Sequence, residues 1–341
     1  MIGDVLELVR LLVFGAIVFV MLILLISPLQ SMTWWAGWFG GEDVRYDAAQ
    51  SDQELLPGEG FDDADHYLVY LSGIGAIAGG AVPQEEYPFI EGLDARLPGT
   101  KIISDVYPYD MSNSGLTNHR LLSPFWRWLE ARRLKNMNDP LAGIFVNLRN
   151  ARQVFVSADS RYGSIYDLGT AREIRDGLLR HGYKLDSGKP VTLLGWSGGG
   201  QISVGAAGYL RDLLQGPIYI QSVGGLLANR PSLGSMDHLW HNYGSRDFVQ
   251  AMGGWVFPGR WRIARNSNWN RALAEGRITL NNIGPYNHNM KRHYFDNESR
   301  LPSGETYMEH LLNTIQSQLR EVGVVQTNQA APNGTTNQSA S

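Results

Sequence analysis

The sequence predicts an α/β fold in which a mostly parallel sheet carries helices on both faces. Short apolar runs of β type alternate along the chain with segments of helical periodicity, which is the order that a parallel sheet requires. The clearest run is 191–194, which follows Lys189 and Pro190 and is largely apolar, as expected of a buried parallel strand. A segment with apolar residues at helical spacing, 201–214, comes soon after it.

The other elements are predicted from the same two patterns. Further strands are expected at 66–71, 101–107, 217–223 and 277–283, and in an aromatic-rich run from Asp237 to the turn at Gly244. Helices are expected from about Glu85, at 168–180 and at 306–322. This alternation places one α/β domain at 66–325, about 260 residues, which is an ordinary domain size.

An insertion at about 109–166 exceeds what one crossover between parallel strands requires. Within it, the segment 124–134 combines bulky aromatic residues with arginines at helical spacing. Such a stripe can be a cap over a site, an element on a membrane surface, or an extra helix packed on the core. The last of these is the most common.

The most informative motif is Gly195-Trp-Ser-Gly-Gly199, a G-x-S-x-G sequence at the predicted junction of strand and helix. A serine at this junction adopts a sharp turn, so the residues two before and two after it must be Gly to avoid clashes. The turn exposes the hydroxyl of Ser197 at a helix N-terminus. The alternative is that Ser197 is only a small residue in a tight turn.

An acid and a histidine follow the serine in the chain. Asp247 comes just after the turn at Gly244, and His288 follows the strand 277–283 and a Gly-Pro turn. A serine hydroxyl is a poor nucleophile unless a neutral imidazole accepts its proton, and that imidazole needs a carboxylate to orient it. His293 is the alternative base, and Asp247 could instead cap a helix that begins at Phe248.

With these placements the chain resembles an α/β-hydrolase, whose catalytic residues occur in the order Ser, Asp or Glu, His. The resemblance covers about 65–322 and implies that Ser197, Asp247 and His288 form a catalytic triad. It implies hydrolysis of a carboxylic ester, thioester or amide through an acyl-serine, without a cofactor. An esterase or lipase is favoured because a membrane tether suits amphiphilic substrates. The alternative is a protein of the same fold that binds or scaffolds without catalysis.

The resemblance also implies an oxyanion hole made of backbone N–H groups. The donors would be Gly198, next to the serine, and Ile74, in the loop after the strand 66–71. The lipase-type His-Gly-Gly-Gly is absent from this loop. The loop also matches the dinucleotide fingerprint G-x-G-x-x-A at Gly73 to Ala78, but Gly79, Gly80 and Pro83 would interrupt the helix that a dinucleotide site needs.

The amino-terminal part predicts a single transmembrane helix at 11–29. These nineteen residues carry no charge and can cross a bilayer core of about 30 Å. Four aromatic residues within 34–39 suit the membrane interface. A cleaved signal peptide is the alternative, but 27–32 lacks a small-x-small site. Because Arg10 precedes the span, the domain that follows is expected outside the cytoplasm.

Four parts of the chain are therefore expected. The anchor with its aromatic segment spans 1–40, an acidic linker spans 41–65, the α/β domain spans 66–325, and a polar, disordered tail spans 326–341.

Composition excludes several classes of function. The net charge of −4 gives no reason to expect a nucleic-acid partner. The absence of cysteine excludes disulfides, thiol catalysis and thiolate metal sites. Four histidines are expected to be structural or on the surface, namely His66, His119, His238 and His241. His238 and His241 would point to opposite faces of a strand, so no metal site is predicted.

Overall fold

The computed structural model describes residues 64–77, 82–109, 128–129, 131–132, 135–136 and 139–325. Within these residues the strands form one six-stranded sheet, in which every neighbouring pair is parallel. The strands are β1 (His66–Leu71), β2 (Thr100–Ile103), β3 (Val191–Trp196), β4 (Ile218–Val223), β5 (His238–Tyr243) and β6 (Ile278–Asn282). The α/β class and the parallel sheet agree with the fold that the sequence predicts, and they are compatible with an α/β-hydrolase-like fold.

Helices connect these strands. The α-helices are α1 (Tyr87–Arg96), α2 (Pro140–Ala158), α3 (Gly163–Arg180), α4 (Gly198–Leu213), α5 (Phe248–Val256), α6 (Asn268–Ala274) and α7 (Tyr307–Glu321). Short 3₁₀ turns lie at Gln84–Glu86, Pro231–Gly234 and Pro258–Arg260. Side chains cap several of these helices. In α7 the hydroxyl of Thr306 accepts from the N–H of Glu309, and the carboxylate of Glu309 accepts from the N–H of Thr306.

The core lies in two layers, one on each face of the sheet. Alternate residues of a strand point to opposite faces, so Val69 joins the cluster that α3, α4 and α6 cover, whereas Leu68 joins the cluster that α1 and α7 cover. All six residues of β1 and of β3 are buried. This burial on both faces explains why these two interior strands are largely apolar in sequence.

The strand order β2-β1-β3-β4-β5-β6 reverses between β1 and β3. From β1 the chain crosses to β2 on one side, and from β3 it proceeds towards β6 on the other. The loops that leave the carboxyl ends of β1 and β3 therefore diverge and leave a crevice between them. Ser72 to Ile74 follow β1, and Ser197 follows β3.

Most predicted elements have nearly the observed bounds, but two differ. The predicted strand at 101–107 ends at Ile103, and the helix predicted at 168–180 begins five residues earlier, at Gly163. The predicted insertion contains α2, whose first turn Asp139 caps through its side chain. Of the helix predicted at 124–134, only isolated residues such as Trp128 are described.

Other predictions fall outside the described residues. These are the transmembrane helix at 11–29, the aromatic segment at 34–39, the linker before Ala64 and the tail at 326–341. In the described part of the chain, no helix is both long enough and apolar enough to span a bilayer.

Candidate active site

Ser197 occupies a strained turn between β3 and α4. Its backbone angles are φ 51° and ψ −116°, a region that non-glycine residues rarely adopt. A Cβ at Gly195 would overlap the backbone of Gly199, and a Cβ at Gly199 would overlap the carbonyl oxygen of Leu71. The N–H of Ser197 donates to the carbonyl oxygen of Val223 at 2.9 Å. The two glycines thus permit the turn, and neighbouring strands hold it in place.

The imidazole of His288 lies against the serine hydroxyl. Its Nε2 is 2.9 Å from Ser197 Oγ. The indole of Trp196 stacks on the imidazole, with ring centroids 4.6 Å apart and planes inclined by 22°. His288 belongs to the loop between β6 and α7, so this contact joins the end of the sheet to the turn after β3.

Asp247 binds the other side of the imidazole. His288 Nδ1 is 3.0 Å from Asp247 Oδ1 and 2.9 Å from Oδ2, and the carboxylate is fully buried. Asp247 also accepts from the N–H of Gln250 at 3.1 Å and so caps α5. The two roles considered for Asp247 from the sequence therefore coexist, because a carboxylate can accept several hydrogen bonds.

Tyr294 is a further partner of this carboxylate, and sequence patterns do not reveal it. Its hydroxyl donates to Asp247 Oδ2 at 2.8 Å and accepts from the N–H of Gly244 at 2.7 Å. Burial, followed by the nearby charge of Asp247, raises the pKa of Tyr294 well above its usual value. The phenol therefore keeps its proton and remains a donor.

His293, considered as the alternative base, lies elsewhere. Its Nδ1 accepts from the N–H of Phe295 at 3.4 Å, and its ring meets the ring of Phe295 edge to face. Burial lowers the pKa of His293 below its usual value. The geometry therefore brings His288, and not His293, to Ser197.

The loop after β1 faces the serine, as the oxyanion-hole prediction requires. A Cβ at Gly73 would lie 2.7 Å from Trp196 Cδ1 and 3.6 Å from Ser197 Cβ, so only glycine permits this approach. Gly198 is the first residue of α4, and the N–H groups of a first helical turn have no acceptor within the helix. Ile74 adjoins Gly198, because a Cβ there would lie 2.9 Å from Ile74 Cγ2.

A cavity of about 460 Å³ opens at this point. Ser197, His288 and Ile74 line it, and other walls come from the 3₁₀ turn before α1, from α2 and from α5. This volume falls within the usual range of small-molecule sites, about 300–1,000 Å³.

Behind the loop lies a buried carboxyl group that the sequence did not single out. Glu86 is 1% exposed, and the hydroxyl of Tyr70 donates to its Oε2 at 2.8 Å. Burial raises the pKa of Glu86 to about 7. Glu86 also lines the cavity.

The dinucleotide alternative lacks the helix that it needs. Residues 74–75 form a turn, 76–77 are irregular, and the described helical structure resumes only at Gln84. No helix N-terminus in the described part of this loop can receive a pyrophosphate.

The other histidines have structural partners. His66 is hydrogen-bonded to Thr100 and Thr192, and His238 to Thr279, while His241 is bonded to Ser222 and Gln250. Burial lowers the pKa of His66 and of His241 to about 3, so both rings are neutral. His119 lies outside the described residues. The described part of the chain contains no cluster of three His, Asp or Glu side chains that could hold a metal ion.

No known protein-family model matches this chain, and no curated protein sequence matches it. Functional inference therefore rests on the geometry of the site.

Proposed function

We propose that the protein is a serine hydrolase that cleaves a carboxylic ester, or a thioester or amide, through an acyl-serine intermediate. The observation that carries the proposal is the continuous hydrogen-bonded series from Ser197 Oγ through both ring nitrogens of His288 to the buried carboxylate of Asp247. In this series Ser197 is the nucleophile, His288 the general base and Asp247 the carboxylate that orients the imidazole.

In the acylation step, Ser197 Oγ attacks the carbonyl carbon of the substrate while His288 Nε2 takes the hydroxyl proton. Asp247 holds the imidazole in the tautomer with its proton on Nδ1 and stabilises the imidazolium that forms. The imidazolium then gives its proton from Nε2 to the leaving alcohol, thiol or amine, and the acyl group remains on Ser197.

In the deacylation step, His288 takes a proton from water, and the resulting nucleophile attacks the acyl-serine. The carbon–oxygen bond to Ser197 breaks, the serine regains its proton from the imidazolium, and the carboxylic acid leaves. The balance is ester plus water giving acid plus alcohol. No oxidant, metal or cofactor enters either step.

Negative charge develops on the substrate's carbonyl oxygen in the tetrahedral intermediate, and two backbone N–H groups are candidate hydrogen-bond donors to it. The N–H groups of Gly198 and Ile74 come from adjoining backbone segments beside Ser197, and rigid donors of this kind need no reorganisation during the reaction. In serine hydrolases the loss of one such donor costs about 2.7–4 kcal/mol of transition-state stabilisation. These donors are therefore expected to supply a large share of the rate.

Labelling with a fluorophosphonate tests this proposal, because an activated serine attacks the phosphorus, displaces fluoride and becomes phosphonylated. The wild-type chain should gain one adduct at Ser197 by mass spectrometry and should hydrolyse an aryl ester. Ser197→Ala and His288→Ala should lose both properties. Ser203→Ala is a matched control, since this hydroxyl lies inside α4 and donates to the carbonyl oxygen of Gly199 at 2.9 Å.

Ser203→Ala should be labelled like the wild type. Absence of labelling in a well-folded wild-type chain would contradict the proposal. That result would favour a binding or scaffolding role for the same fold.

A further inference from the structure

Several large apolar side chains are exposed on the segments that carry cavity-lining residues or that directly follow them. We call them the apolar rim, and they are Ile144, Phe248, Trp255, Trp261, Ile263 and Met290. Their exposed fractions run from 46% for Trp261 to 87% for Met290. Scattered exposed apolar residues are ordinary, whereas large apolar side chains that pack against one another at the surface are typical of an interaction surface.

Three of the segments that carry rim residues also contribute to the cavity wall. The cavity wall includes Asn147 from α2, Val249 from α5 and Asn289 from the loop after β6. Each of these three lies within one helical turn, or next along the chain, of a rim residue. A surface that covers these rim residues therefore lies beside segments that form the cavity wall.

The part of the rim that α5 carries forms one packed surface. The rings of Phe248 and Trp255 meet edge to face with centroids 5.5 Å apart. The indole N–H of Trp261 donates to the carbonyl oxygen of Gly254 at 3.0 Å, which places this ring against the end of the same helix.

Basic side chains outnumber acidic ones in the two segments that carry most of the rim. Two segments, 244–268 and 283–295, carry five exposed cations, namely Arg246, Arg262, Arg265, Lys291 and Arg292. Asp247 lies in the first segment but is buried and bound to His288, and Asp296, directly after the second segment, is mostly buried and accepts from the N–H of Arg292. Glu85, on the opposite wall of the cavity, is an exposed acid nearby. The surface thus combines apolar side chains with an excess of basic ones.

We propose that the apolar rim docks on an anionic lipid surface and holds the cavity mouth against it. Aromatic and aliphatic side chains enter the boundary between headgroups and acyl chains, while Lys and Arg contact anionic headgroups. A second copy of the chain fits less well. In a twofold interface both copies would bring the same basic surface to the contact, and like charges repel.

The sequence before Ala64 also favours a lipid surface as the partner of the rim. It contains the uncharged apolar stretch 11–29, which is long enough to enter a bilayer, and 34 residues separate Leu29 from Ala64. Extended, 34 residues reach at most about 110–120 Å. A domain of this size has a radius of gyration of about 18 Å. Ala64 lies at the amino edge of the sheet and the cavity at the carboxyl edge, and this reach allows the chain to pass around the domain.

Docking goes beyond the proposed hydrolase function and does not depend on it. The test uses the full chain, which has no cysteine, so that single reporters can be introduced. Ile263→Cys and Met290→Cys place an environment-sensitive fluorophore on the rim. Leu185→Cys is the control, because Leu185 is exposed but lies before the amino end of β3. Each protein is reconstituted in vesicles of phosphatidylcholine, with or without phosphatidylglycerol, whose acyl chains carry bromine as a quencher.

We expect loss of fluorescence at both rim positions in vesicles that contain phosphatidylglycerol and unchanged fluorescence at Leu185→Cys. Adding Arg262→Glu and Lys291→Glu to the Ile263→Cys chain should restore the fluorescence, because each basic residue near an anionic surface contributes about fivefold to binding. The reactivity of Ser197 is measured in every sample by fluorophosphonate labelling. This measurement tests the hydrolase proposal separately from docking.

Two results would overturn the docking proposal. One is equal fluorescence at rim and control positions in the anionic vesicles. The other is a fluorescence change without lipid that grows with protein concentration, which would assign the rim to a second copy of the chain.

Discussion

Tyr294 and Asp247 are joined by a buried hydrogen bond in which the phenol donates to Oδ2 at 2.8 Å. The same phenol accepts from the N–H of Gly244, which directly follows β5. The carboxylate that orients His288 is thereby fixed from a second direction. This contact ties the proposed catalytic residues to the sheet.

Replacing Tyr294 with Phe should destabilise the protein and slow its reaction with fluorophosphonate. The change leaves the buried N–H of Gly244 without its acceptor and removes one donor from Asp247. Each unsatisfied buried group costs about 1–3 kcal/mol. Chemical denaturation should show this loss, and the labelling rate should fall because the carboxylate is held less firmly.

Tyr286→Phe is the matched control for this prediction. Tyr286 is also buried and packs on Tyr294 with ring centroids 5.3 Å apart, but its hydroxyl is bonded to Tyr307 and His310. We expect Tyr286→Phe to lower stability and leave the labelling rate of the folded protein unchanged. Equal labelling rates in both variants would show that the bond from Tyr294 to Asp247 has no catalytic consequence.

Asp247→Asn should separate the two roles of this residue. Asn caps a helix about as well as Asp, so the bond from the N–H of Gln250 and the start of α5 should persist. The imidazole of His288, however, loses its orienting charge and can settle in the wrong tautomer. We expect turnover of an aryl ester to fall by about 10⁴-fold with little change in the denaturation midpoint.

Asp247→Ala removes the cap as well and should cost about 1 kcal/mol more in stability. Near-wild-type turnover in Asp247→Asn would rule out this carboxylate as the partner of His288.

The fold could be predicted largely because burial on both faces is visible in the sequence. β1 has the predicted bounds, and β3 extends the predicted run by two residues into the G-x-S-x-G motif. At β2 the prediction extends too far. Val106 and Tyr107 continue the apolar run and are buried, but they lie beyond the end of the strand at Ile103. An apolar run therefore reports burial and not backbone pairing.

The relation of Ser197, Asp247 and His288 could be predicted because each follows a strand end, and the carboxyl ends of parallel strands meet at one edge of the sheet. The contributions of Tyr294 and Glu86 could not be predicted from the sequence. Each takes part in a hydroxyl–carboxylate bond between separate segments, and such bonds leave no periodic pattern in a sequence. Structure alone shows that they surround the site.

Gly199→Ala should abolish the site, whereas Gly254→Ala should be tolerated. A methyl group at Gly199 would overlap the carbonyl oxygen of Leu71, and backbone on a central strand cannot move aside. Nothing lies within 4 Å of a methyl group at Gly254 in α5. We expect loss of fluorophosphonate labelling and a lower denaturation midpoint for Gly199→Ala only. Normal labelling of Gly199→Ala would show that the turn at Ser197 needs less close packing than the structure indicates.

The last prediction concerns the dependence of stability on pH. Burial raises the pKa of Glu86 from 4.5 to about 7 in the folded protein. The folded state thus holds this proton more tightly than the unfolded state. The associated stability is fully present below about pH 4.5 and is lost as the pH rises to about 7. Asp167, whose pKa burial raises from 3.8 to about 7, acts in the same direction over a window that begins at a lower pH.

Glu86→Gln removes one of these two contributions and keeps an acceptor for the hydroxyl of Tyr70. The difference in denaturation midpoint between this variant and the wild type should therefore shift in favour of the variant as the pH rises from about 4.5 to about 7. Glu91→Gln, an exposed substitution on α1, is the control and should follow the wild-type curve. A constant difference across this range would show that Glu86 binds its proton equally well in the folded and unfolded chains. That result would contradict the prediction, which rests on the burial of Glu86 behind the loop at Gly73.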